Sequence, residues 1–203
     1  MIKVILFDCD GPIIRHTKYF SQRLKEEKGI VADTEDQASF FNNEFLLCEK
    51  GQADLKVEMG KRLKTWGWTG TVEELMEYWF VGEAEVDTDM AEYIKELRNK
   101  GIKTYLSTNN EKYRVDYLWK TAGLKNILDG KFPSCELGHL KPEVKFWAQI
   151  YKRLSNISKE EVLVLDDAES AISSAKRFGF NAEFYENFEG FKKVMEEKYL
   201  IRP

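Results

Sequence analysis

The chain has 203 residues, 43% of them hydrophobic and 13% aromatic, which is enough length and apolar content to bury a sizeable core and excludes a disordered chain. Its 31 basic and 35 acidic residues are interspersed and net −4, so no basic block tracks a phosphate backbone, and nucleic acid is not an expected partner. Cys9, Cys48 and Cys135 are odd in number and far apart, which points to free thiols in a reducing compartment; with no signal-peptide pattern and no apolar run near the roughly 20 residues a bilayer needs, the expected location is cytoplasmic, with no membrane partner.

Val4 to Phe7 is a β-branched and aromatic run too short for a helix, and it stops at Asp8, Cys9 and Asp10 before Gly11 and Pro12. It predicts a buried strand ending in carboxylates. As the chain bends at Gly11, Asp8 and Asp10 can face one crevice beyond the strand's carboxyl end, a pairing suited to metal-assisted phosphoryl chemistry. Taken alone, Asp-Cys-Asp-Gly is equally a surface turn.

From Ile13 the pattern becomes helical for about seventy residues. Tyr19, Phe20 and Leu24 precede a stop at Gly29; Thr34 and Gln37 form a capping box for a second helix carrying Phe41, Phe45 and Cys48; Leu55, Met59 and Leu63 share a face; and Thr71 with Glu74 caps a helix bearing Leu75, Met76, Trp79 and Phe80. Four helices in a small bundle are expected, followed by a polar linker around residues 82–87. Trp66, Trp68 and Trp79 belong to its core, with room for one to face a substrate.

After Thr88 strands alternate with helices, the mark of parallel βαβ units. Ile102 to Leu106 reads as a strand entering Ser107, Thr108, Asn109 and Asn110. Phe132 to Leu137 reads as another, and Pro142 suits the first turn of a helix bearing Phe146, Trp147 and Ile150. Ser158 and Glu161 cap a single turn ahead of a strand, Val162 to Leu165, that ends in Asp166 and Asp167; Phe180 to Phe184 reads as an outer strand. In a parallel sheet the carboxyl ends share one edge, so Asp8, Asp10, Thr108, Asn109, Lys141, Asp166 and Asp167 can converge there. Singly, Thr108 or Asn109 is a helix cap, Lys141 a solvated lysine, and Asp166 with Asp167 an N-cap and its neighbour.

The set Asp8-Cys9-Asp10-Gly11, Leu106-Ser107-Thr108-Asn109, Lys141-Pro142 and Leu165-Asp166-Asp167 resembles the four motifs of the haloacid dehalogenase-like (HAD) hydrolase superfamily, in their usual order and over the whole chain. The resemblance implies an α/β fold, a three-layer Rossmann-like parallel-sheet core (residues 1–13 and 87–203) with an inserted α-helical cap (14–86). It implies an Mg²⁺-dependent phosphatase acting on a small phosphorylated metabolite. Asp8 would be the nucleophile forming an aspartyl-phosphate and Asp10 the general acid and base. Thr108, Asn109 and Lys141 would hold the phosphoryl oxygens. Asp8, the Asp10 carbonyl and Asp167 would bind the metal, with Asp166 as a further ligand or a support behind it.

Competing readings are a sugar phosphomutase of the same family, which returns the phosphoryl group to its substrate; a dehalogenase, whose chemistry calls for neither the metal cluster nor Asp10; a phosphorylation-switched binding module; and a catalytically silent phosphate- or partner-binding module. Two residues depart from the family pattern. Pro12 lacks an N–H and fixes φ in the turn after Asp10, and Arg15 stands where many relatives carry an acid near the cap hinge, leaving Arg15 or His16 as a contact for an anionic substrate. His16 and His139 have no cysteine or histidine partner at ligand spacing and read as surface or packing residues. Nothing in the pattern sets an oligomeric state.

Overall fold

The computed structural model describes residues 1–15, 18–30 and 34–202. Its first strand, β1 (Val4–Phe7), is buried along its whole length because it has a parallel neighbour on each side and helices over both faces. Side chains alternate across it. Ile5 and Phe7 join Leu163, Leu165, Leu106 and Phe191 on one face; Val4 and Leu6 join Val162, Val164, Phe146, Trp147 and Ala175 on the other.

Beyond the turn at residues 11–13, β2 (Ile14–Arg15) leads, among the described residues, into five helices: α1 (Phe20–Lys28), α2 (Thr34–Asn42), α3 (Glu44–Glu49), α4 (Leu55–Gly60) and α5 (Val72–Gly82). The chain returns through β3 (Glu85–Val86), which pairs antiparallel with β2, Ile14 opposite Val86. Five helices replace the expected four because the backbone leaves helical geometry at Asn43 (φ −127°, ψ −81°), placing Phe41 and Phe45 on separate elements. The expected linker is also more ordered than a loop, since α5 runs through Gly82 and residues 85–86 pair. The Thr71–Glu74 capping box forms, Glu74 Oε2 accepting from Thr71 N at 2.7 Å and Thr71 Oγ1 from Glu74 N at 3.2 Å. The box expected at Thr34 involves a side chain outside the described residues, as does His16.

These helices close around their own aromatic cluster, in which Phe20 stacks on Trp79 at 5.2 Å and Phe40 meets Trp66 edge-on at 5.2 Å. Trp66 and Trp79 spend their indole N–H groups inside the insertion, on Asp36 and Glu83, and neither lines the cavity described below.

The chain continues through α6 (Thr88–Asn99), β4 (Lys103–Thr108), α7 (Lys112–Lys120), β5 (Gly130–Pro133), α8 (Ser134–Leu137), α9 (Val144–Tyr151), β6 (Val162–Asp166), α10 (Glu169–Phe178), β7 (Asn181–Phe184) and α11 (Phe188–Glu197). The five long strands are parallel, in the order β5-β4-β1-β6-β7. The run expected as a strand from Phe132 to Leu137 divides after Pro133, which is both the last paired residue of β5, opposite Thr108, and the extended N-cap (φ −80°, ψ 147°) from which α8 starts. Pro142 lies in the turn before α9 rather than within the helix. Because the chain moves outward from β1 to β5 and then crosses back to β6, the strand order reverses around β1, and a crevice opens at the carboxyl ends of β4, β1 and β6. Among the described residues no helix is long and apolar enough to cross a membrane.

Candidate active site

Register brings the acids together. Phe7 lies opposite Leu106 on one side and Leu165 on the other, so Asp8 and Asp166, one residue further along each strand, emerge at the same level. Lys141, in the turn before α9, reaches between them: its Nζ is 2.7 Å from Asp8 Oδ1 and 2.8 Å from Asp166 Oδ2. Asp8 Oδ1 also accepts from the Cys9 N–H, and Asp166 Oδ1 from the Ala168 N–H. Asp8, Asp166 and Asp167 each place a carboxylate oxygen within 4.8 Å of the others. Gly11 makes room for this. Its φ of +92° disfavours a side chain, and a Cβ there would stand 2.5 Å from Asp167 Oδ2.

The electrostatics are those of acids crowded at low dielectric. Burial pushes the Asp8 carboxyl up to about 8, the attraction of Lys141 being outweighed by burial together with the charges of Asp166 and Asp10. Asp167 is raised as well, by burial and then by Asp166. Lys141, although burial opposes its charge, is held protonated by Asp8 and Asp166.

Asp10 lies one turn away, and its partner is one the sequence did not single out. Arg114 on α7 grips it at two points, NH1 to Oδ2 at 2.8 Å and NH2 to Oδ1 at 2.6 Å. Asn110 accepts from Arg114 NH1 at 2.9 Å and donates to the Thr108 hydroxyl at 2.7 Å, which fixes Thr108 in the same network. Asn109 turns the other way: its Oδ1 accepts from the Lys141 N–H at 2.9 Å, tying the end of β4 to the lysine turn. The Lys141 carbonyl accepts from Ser174 on α10, whose oxygen also accepts from Trp147 Nε1. The position of Lys141 is therefore built into the packing of α9 against α10.

A cavity of about 700 Å³ opens on this edge, lined by Asp10, Gly11, Ile14, Arg15, Tyr19, Glu83, Arg114 and Asp167. Arg15, left open above as a substrate contact, spends its Nε on Asp87 Oδ2 at 2.6 Å, and Asp87 in turn caps α6 through the Asp89 and Met90 N–H groups. From the insertion comes Glu49, buried at the end of α3. Burial pushes its carboxyl up to about 7, with Lys141 and Arg114 pulling against that and Asp10 and Glu111 adding to it. The insertion is anchored nearby by Lys50 on Glu143 (2.9 Å) and by Asp54, which accepts from Lys112 Nζ (2.6 Å) and the Tyr113 hydroxyl (2.9 Å). His139 pairs with Glu143 at 3.0 Å.

The donor set fits a hard divalent cation. Its ligand atoms are carboxylate oxygens without sulfur or imidazole, and the raised Asp8 and Asp167 carboxyls mark a deficit of positive charge that the Lys141 ammonium does not cover.

The family model of the haloacid dehalogenase-like hydrolases matches residues 2–179. A HAD family enzyme of Bacteroides thetaiotaomicron, solved in complex with magnesium and inorganic phosphate, superposes with a TM-score of 0.80 at 19% identity over the full length of both chains. A predicted HAD-like family hydrolase from Porphyromonas gingivalis superposes with a TM-score of 0.76 at 22% identity, over 98% of this chain and 100% of that one. At these identities the likeness is one of fold. Among curated proteins, the sesquiterpene phosphatase astK of Aspergillus oryzae is 26% identical over 94 residues, covering 43% of this chain and 45% of that protein, so the match spans less than half of its length.

Proposed function

Because the chain belongs to the haloacid dehalogenase-like hydrolase family, we propose that it is a magnesium-dependent phosphatase that hydrolyses a small phosphorylated metabolite through an aspartyl-phosphate on Asp8. The observation that carries this reading is the convergence of Asp8, Asp166 and Asp167 within 4.8 Å, with Lys141 in contact with the first two. The magnesium and phosphate held by the Bacteroides enzyme and the phosphatase activity of the Aspergillus relative support the same chemistry. In this reading residues 1–13 and 87–203 are the catalytic core and residues 14–86 the cap.

A magnesium ion would be held by Asp8, Asp167 and the Asp10 carbonyl and would offset negative charge on the acids and the phosphoryl oxygens. The Asp8 carboxylate attacks phosphorus, forming an O–P bond as the bond to the leaving oxygen breaks, and Asp10 gives that oxygen its proton. Asp10, now a carboxylate, takes a proton from water as the water oxygen bonds to phosphorus and Asp8 departs with its electron pair. Lys141 and Thr108 hold the phosphoryl oxygens, and Asn109, whose Oδ1 is taken by the Lys141 N–H, offers them only its N–H donors. Asp166 has both oxygens engaged, by Lys141 and the Ala168 N–H, and acts by orienting Lys141 rather than as a principal metal ligand.

Phosphate release from p-nitrophenyl phosphate, followed by a panel of sugar phosphates, nucleotide monophosphates and a terpenyl phosphate, tests the reading with the wild type and Asp8→Asn in Mg²⁺. Activity confined to the wild type is expected. Equal release by the two proteins overturns it.

A further inference from the structure

Resting on the phosphatase reading, we propose that Arg114 is the positioning residue for Asp10: its guanidinium fixes the plane of that carboxylate for the step in which it takes a proton from the attacking water, and its contact with Glu83 joins that orientation to the helical insertion.

The geometry separates this from simple packing. Arg114 is buried, with its side chain 7% exposed, and four contacts converge on the two terminal nitrogens: NH1 on Asp10 Oδ2 and Asn110 Oδ1, NH2 on Asp10 Oδ1 and the Glu83 carbonyl at 3.2 Å. Its Nε is buried without a partner. Leaving a buried donor unsatisfied works against stability. The side chain is thus committed to a two-point grip on one carboxylate rather than to its own best solvation, and such a fork sets direction as well as distance.

Glu83 carries the connection onward. Its Oε1 accepts from the Phe20 N–H at 2.5 Å and its Oε2 from Trp79 Nε1 at 2.8 Å, so the residue whose carbonyl Arg114 reads is held at both oxygens by the insertion's aromatic core. A displacement of the insertion relative to β1 moves the Glu83 carbonyl and with it one side of the fork.

The two half-reactions respond differently to loss of the grip. p-Nitrophenolate leaves without a proton, so Asp8 is phosphorylated on this substrate with little help from Asp10. Clearing the intermediate still needs the Asp10 carboxylate to take a proton from water while the water oxygen bonds to phosphorus and the Asp8–phosphorus bond breaks. A misaimed base slows the second step alone, by about 10²-fold for a displacement near 1 Å.

Stopped-flow release of p-nitrophenolate in Mg²⁺ by the wild type, Arg114→Lys and Arg114→Ala tests this. The Lys variant is expected to show a burst approaching one equivalent per enzyme, then a steady rate about 10²-fold lower, with KM falling alongside kcat and inhibition by inorganic phosphate within twofold of wild type. Millimolar guanidinium is expected to speed the steady phase of the Ala variant. Should the Ala variant fail to fold, the Lys variant, which keeps a cation there, carries the test. A Lys variant with wild-type turnover, or one slowed without a burst, overturns the proposal while leaving the phosphatase reading intact; a wild type that releases no phosphate removes that reading first and the proposal with it.

Discussion

The ammonium of Lys141 stands 2.7 Å from the carboxylate of Asp8, and both groups are almost wholly buried, Lys141 being 4% and Asp8 6% exposed. A contact of this kind gains little from water screening and loses much when one partner is removed. Lys141→Met is therefore expected to act twice. Turnover of p-nitrophenyl phosphate should fall on the order of 10²–10³-fold, as for other groups that stabilise transition-state charge. Stability should also drop, on the order of 3–5 kcal/mol, because Asp166 is left fully buried with its principal cation gone. Urea denaturation alongside steady-state kinetics measures both, and a variant as stable and active as wild type would contradict the placement of this lysine.

Gly11 is predicted to be irreplaceable for metal binding rather than for folding. In Gly11→Ala the methyl group meets Asp167 Oδ2 at 2.5 Å, and the backbone must keep a φ of +92° with a side chain attached. The conformational cost is about 1–2 kcal/mol, whereas the carboxylate has to swing away. Isothermal titration with Mg²⁺ should show affinity reduced at least about tenfold, as when a ligand's support is removed, with the melting temperature little changed. Unchanged affinity would mean that Asp167 does not take part.

Glu49 gives a pH dependence with an unusual sign. Its carboxyl is raised to about 7, so between the ordinary value of 4.5 and 7 the folded protein binds more protons here than the unfolded chain does. This group's contribution to stability is therefore full below pH 4.5, declines as pH rises through that window, and stays low above it. Glu49→Gln removes the ionisation and should be more stable than wild type at pH 8, on the order of 1–3 kcal/mol, and nearly equal to it at pH 4.5. Denaturant titrations of both proteins at the two pH values check this, and equal stability at pH 8 would refute it.

Glu143 runs the other way. Although partial burial opposes ionisation, hydrogen bonds from Lys50, the Leu140 N–H and His139 hold its carboxyl down to about 2. Its stabilising contribution is present above 4.5 and is lost as pH falls from there towards 2. Lys50 belongs to the insertion and Glu143 to the turn that carries Lys141, so acid should loosen this anchor. Wild type should lose stability more steeply than Glu143→Gln across that range, and superimposable pH profiles would exclude the anchor.

Local chemistry made much of the fold legible in advance. Val4 to Phe7 had to be buried, as a continuous apolar run with no polar face; the boxes at Thr71–Glu74 and Ser158–Glu161 marked where helical turns begin; and the acidic, hydroxyl and amide groups following three apolar runs could be assigned to one sheet edge because parallel strands end on the same side. The grip of Arg114 on Asp10, the burial of Glu49 and the commitment of Arg15 to Asp87 were not legible. In sequence Arg114 and Glu49 are charged residues with nothing to separate them from solvated ones, and Arg15 stands out without its partner being readable; only the packing of α7, α3 and β2 against the core sets which way each points and how much water it loses. The break at Asn43 and the division at Pro133 escaped for the same reason, since a short apolar run does not say whether it pairs with a neighbour or turns into a helix. Which acids and hydroxyls share the sheet edge follows from residue order, because strands carry their ends with them; which cations meet those acids is decided by tertiary packing, because a flexible side chain acquires its partner only when its surroundings exclude water.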